Sequence, residues 1–147
     1  MPRPTSLDLP LFLHVLGAMV LVGVLIAALS ALLLAWRGAD TSATLRRFAF
    51  RTLLLGGIPA YVLMRAGAQW IYSREIGSGG HDPDWVGIGF LISDVGALIL
   101  IVTCILAWRA AKKPTTGGMA RAVTVLTGLM LVAYIVAMWA MTAKPGA

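Results

Sequence analysis

A chain of 147 residues with 59% hydrophobic and only 12% charged positions is excluded from the ordinary water-soluble class, whose domains run at about 45–50% apolar and about 25% charged. The net charge of +6 brings nucleic acid to mind, but its distribution argues against that partner. Eight of the twelve Lys and Arg fall at two connections between apolar runs: Arg37, Arg46, Arg47 and Arg51, then Arg109, Lys112, Lys113 and Arg121.

Four apolar stretches reach the roughly 20 residues that a bilayer core requires of a helix. They predict one membrane domain over 1–147, with helices at about 9–36, 48–72, 85–108 and 120–142. The first run is too long for the core of a signal peptide, and Trp36-Arg37 closes it with an aromatic and a cation, as interfacial anchors do. Asp40, Thr41 and Ser42 are candidate caps for the helix that follows.

The second run carries Gly56-Gly57-Ile58-Pro59 near its middle. Proline removes a helical hydrogen bond and crowds the preceding turn, so a bend is expected there. Beyond it, Tyr61, Arg65, Gln69 and Tyr72 recur at spacings of four, four and three, which puts a polar stripe on one face. Residues 73–84 are rich in glycine and turn signals. The third and fourth runs follow, separated by KKPTTGG.

Arg and Lys cluster on the connections after the first and third runs, while Asp8, Glu75, Asp82 and Asp84 gather opposite. The positive-inside bias then makes the chain an up-down four-helix bundle with both termini outside. It also accounts for the basic residues, so no polybasic cluster is left over for a ligand. The expected setting is a bacterial cytoplasmic membrane, crossed several times. An offset of 72 relates Ala35-Trp36-Arg37 to Ala107-Trp108-Arg109 and Gly17 to Gly89, as a duplicated helical hairpin would.

In this topology each helix places its most polar residue in the outer half: His14, Arg65, Asp94 and Tyr134. A lone charge at bilayer depth costs roughly 2.5–3.5 kcal/mol on insertion scales, so Arg65 and Asp94 are expected to pair. With Tyr61 and Gln69 these residues define a candidate outward-facing polar pocket. A structural reading stands beside it, in which the pair fixes helix register and His14 donates to a backbone carbonyl. Met138 and Met141 lie at i, i+3, and soft thioethers favour Cu(I), so His14, Met138 and Met141 are the candidate metal ligands. Haem requires an axial His or Met, and His14 is the membrane histidine, with His81 in the outer loop at 73–84 as a candidate second ligand. No cysteine cluster, phosphate loop, HExxH or serine-nucleophile motif points to catalysis.

The first helix, LFLHVLGAMVLVGVL, resembles the opening helix of the copper-resistance D-like superfamily of small bacterial membrane proteins. Its pattern is a His, a Gly three residues on, then Trp-x-Gly-Gly. His14, Gly17 and Gly23 fit, while Leu21 stands for the Trp and Val24 for the second Gly. The resemblance implies copper uptake or haem-linked redox chemistry, in a superfamily that includes members without an assigned role. Three readings stand together: small-solute or metal-ion handling, an accessory subunit docking a membrane-protein partner or a second copy, and a haem-binding redox protein.

Overall fold

The computed structural model describes residues 8–37, 41–75, 84–112 and 117–143. It comprises α1 (Asp8–Ala35), α2 (Ser42–Thr52), a π turn (Leu53–Gly57), α3 (Ile58–Glu75), α4 (Asp84–Lys112) and α5 (Gly117–Ala143). The segments α2, π turn and α3 follow one another without a break, so the described residues hold four helical rods long and apolar enough to cross a membrane. Only 28–33% of each such stretch is buried within the protein. Outward-facing Leu55, Leu91 and Leu98 are each more than 60% exposed. An apolar surface of that extent suits hydrocarbon and not water.

The second rod starts at Ser42, earlier than the apolar run suggests. Hydropathy finds only the part that can lie in hydrocarbon, whereas SATLRR is polar and still helix-compatible. Arg46, Arg47 and Arg51 are therefore held on a helix and not in a loop. Thr41 takes the N-cap position with no side-chain cap bond. Its carbonyl accepts from the Leu45 N–H at 3.0 Å instead. Asp40 lies outside the described residues.

Just before Pro59, where a bend is expected, the helix carries the π turn. The Ile58 N–H donates to the Leu53 carbonyl, five residues back. Pro59 has no N–H to offer, so the ladder is already interrupted here, and one extra residue per turn is accommodated. Gly56 lets this turn lie against α1, because a Cβ there would be 2.8 Å from Cγ2 of Val24.

The core is built from Leu21, Leu25 and Ala28 of α1, Ala49 and Leu53, Leu100 of α4, and Val123 and Met130 of α5. The hydroxyls buried in this region bond their own helix: Thr103 to Ile99 O at 2.6 Å, Thr124 to Ala120 O at 2.9 Å and Thr127 to Val123 O at 2.7 Å. Each is satisfied locally, so none demands a cross-helix partner.

The tightest packing joins α1 to α3. A Cβ on Gly67 would sit 2.6 Å from the backbone nitrogen of His14 and 2.8 Å from the carbonyl of Pro10. One on Gly17 would run into the Met64 nitrogen and lie 2.8 Å from the Ala60 carbonyl. Lipid supplies no hydrophobic drive between helices, so such backbone-to-backbone contact is what holds them. Gly23 has nothing within 4 Å and is not a crossing point. Gly17 and Gly89, related by the 72-residue offset, have different neighbours, for Gly89 meets only the mobile end of Met141.

Candidate binding cleft

Toward the end of the helices that borders residues 76–83, α1, α3, α4 and α5 enclose a cleft of about 490 Å³. His14 and Met19 line it from α1, Met64, Arg65 and Tyr72 from α3, Phe90 and Ser93 from α4, and Tyr134, Met138 and Met141 from α5. The remaining lining is largely aliphatic, so the expected polar pocket is an apolar cleft carrying a few polar groups.

His14 and Tyr134 are brought together here, but the other anticipated residues divide. The His14 Nδ1–H donates to the Met64 carbonyl at 2.9 Å, which is the structural role weighed above and leaves Nε2 as the other ring nitrogen. Tyr61 does not line the cleft and packs against the core. Asp94 and Gln69 do not line it either. They reach Arg65 from outside: Nε donates to Asp94 Oδ1 at 3.2 Å and Nη1 to Gln69 Oε1 at 2.8 Å.

Arg65 also lies over the Phe90 ring, 4.5 Å from its centroid. Phe90 in turn meets Tyr72 edge-on at 5.2 Å. Helices α3 and α4 scarcely touch elsewhere, so this group is a strut across the gap between them at the edge of the cleft. The ion pair is real, but it is not enclosed. The Asp94 side chain is 61% exposed and that of Arg65 27%.

Two residues of the cleft lining have buried hydroxyls with no hydrogen-bond partner, Ser93 Oγ and Tyr134 Oη. The two residues are only 7% and 5% exposed. Gly96 makes room for the phenol, since a Cβ there would be 2.6 Å from Tyr134 Oη. Ser93 was overlooked beside the charge of Asp94, although a serine in so apolar a helix is itself a polar signal. Met64 lies at a depth similar to that of His14, as expected of a residue near a metal site, whereas Met19 was overlooked because a single methionine in an apolar helix carries no spacing pattern.

The donor set for a metal is soft. His14, Met19, Met64, Met138 and Met141 share the cleft, and no group of three or more His, Cys, Asp or Glu exists among the described residues. Imidazole with thioethers suits Cu(I) and is a poor match for hard divalent ions. For haem the cleft offers a single imidazole as an axial ligand, and His81 lies outside the described residues.

No family model matches the chain, and neither a curated protein nor a solved structure matches it. The class defined by the fold is an all-helical protein with four candidate membrane spans.

Proposed function

We propose that this is a non-enzymatic integral membrane protein that binds a small, mainly apolar solute with one hydrogen-bonding head in the cleft between α1, α3, α4 and α5. The observation that carries this reading is the pair of buried, partnerless hydroxyls, Ser93 Oγ and Tyr134 Oη, on two residues that line a 490 Å³ apolar space. A buried polar group left unsatisfied costs about 1–3 kcal/mol, and a solute head recovers that while its body fills the apolar volume. A photoactivatable octanol should label cleft residues such as Val86 and Met141 in preference to outward-facing Leu55 and Leu98. Ser93→Ala with Tyr134→Phe should weaken that preference. Even labelling over the lipid-facing surface would sink the reading.

A second reading, Cu(I) handling, is favoured by His14 and four methionines lining the same space. The helix-1 resemblance to the copper-resistance D-like superfamily is part of this reading. His14, Met138 and Met141 would hold the ion, and their replacement should abolish Cu(I) retention against a competing chelator. Retention unchanged in His14→Ala would end it.

The proposed setting is a bacterial cytoplasmic membrane, with the helices up-down and the cleft toward the outside. The pairing of Gly67 with Pro10 and His14, and of Gly17 with Ala60 and Met64, supports opposed directions for α1 and α3. The charge bias supports the sidedness. Ser78 and Thr115 lie outside the described residues but within the connections whose sides matter. A cysteine at Ser78 should react with an impermeant reagent in intact cells and one at Thr115 should not; the reverse pattern overturns the orientation.

A further inference from the structure

We infer that the opposite end of the molecule carries a binding site for the headgroup of an anionic phospholipid. There α2 and α4 enclose a second cleft, of about 340 Å³, lined by Arg47, Phe50, Arg51, Trp108, Ala111 and Lys112. In sequence these cations belong to different connections, 61 residues apart from Arg51 to Lys112. The fold gathers them into the polybasic cluster that the sequence alone does not display.

Three cations facing one small space repel each other, and an anion placed among them relieves that repulsion. No carboxylate of this protein does so among the described side chains. The one available, Asp94, is engaged with Arg65 and lies fourteen residues from Trp108 on α4, about 21 Å away at the helical rise. Arginines offer a planar fork of donors to phosphate oxygens and lysine a point charge. The Lys112 ammonium rests 4.1 Å from the centre of the Trp108 ring, which keeps it at the cleft rim.

The same anion chemistry would suit free phosphate, but the surroundings favour a lipid. Phe50 and Trp108 form part of the walls, and tryptophan is an interfacial residue. Deeper along the same two rods, Leu54 and Leu55 of the π turn and Ile101 and Ile105 of α4 all face outward. Ile105 and Ile101 lie three and seven residues from Trp108, on the same face of α4. A phosphodiester in the cleft therefore leaves its acyl chains against apolar side chains. Basic pockets between membrane helices bind anionic headgroups in this manner.

The test is thermal unfolding of the detergent-purified full chain with added phosphatidylglycerol, phosphatidylcholine or inorganic phosphate. Phosphatidylglycerol should raise the melting midpoint by several degrees, and the other two should not. Each cation removed, by Arg47→Gln, Arg51→Gln or Lys112→Gln, should weaken the apparent affinity about fivefold, the factor for one cation near an anionic surface. Arg121→Gln removes a charge outside the cleft and should leave the response intact. Brominated phosphatidylglycerol should quench wild-type fluorescence more than it quenches Trp108→Phe, a readout that survives if the charge variants fold poorly. Equal shifts from phosphatidylcholine, or equal loss in Arg121→Gln, overturn the site. A shift produced by inorganic phosphate alone overturns the lipid assignment.

Discussion

Gly67→Ala will destabilise the protein severely, and Gly67→Leu will keep α1 and α3 from docking at all. The added Cβ would meet the backbone of α1, at 2.6 Å from the His14 nitrogen and 2.8 Å from the Pro10 carbonyl. Backbone atoms of a packed helix cannot swing aside as the end of a side chain can. Overpacking in a well-filled core typically costs about 1–3 kcal/mol, and a backbone collision belongs at or above the top of that range. The helices must separate along their length, which would also break the 2.9 Å bond from His14 to the Met64 carbonyl. Gly17→Ala should act in the same direction against Met64 and Ala60. Gly23→Ala is the control, since nothing lies within 4 Å of its Cβ position. Unfolding by SDS titration in bicelles should leave Gly23→Ala close to wild type. A Gly67→Ala protein indistinguishable from that control would show that the α1–α3 contact does not hold the fold.

The second large effect is expected at the strut. Arg65→Gln and Asp94→Asn should each destabilise the protein in a bilayer, and the double variant should lose less than the sum. Asp94 lies ten residues from the start of α4, about 15 Å along the helix, yet its side chain is 61% exposed. In water an ion pair that open is worth only about 0.2–1 kcal/mol. In hydrocarbon the comparison changes, because losing one partner strands the other charge at a cost of about 2.5–3.5 kcal/mol. Coupling measured by a double-mutant cycle in bicelles should therefore exceed the aqueous range. Coupling near zero there would mean that water bathes Asp94 and that the pair is a surface decoration. Phe90→Leu provides a separate check, since it removes the ring under the Arg65 guanidinium and leaves both charges in place.

The helical rods and their approximate extents were legible in the residues because a bilayer span is a one-dimensional property: length and mean hydropathy suffice. The start of α2 was not, for the reason that polar helical residues look like a loop to hydropathy. The pairing of Arg65 with Asp94 was also readable, since opposite charges on consecutive apolar runs have few alternatives to one another. Which way that pair faces was decided only by packing, and it joins α3 to α4 from the cleft's edge and not from within.

Gly67 illustrates what the sequence by itself could not supply. A glycine is recognisable as a crossing point only when the backbone opposite is known, so Gly23 and Gly67 look alike in the chain and differ wholly in the fold. The same holds for function. Composition and charge placement determined that this chain is built for a membrane and which residues are costly there. Tertiary structure decided that Ser93 and Tyr134 line one cleft and carry hydroxyls with no partner, and that Arg47, Arg51 and Lys112 share another. Those are convergences across distant segments, and only the angles at which helices cross bring them about.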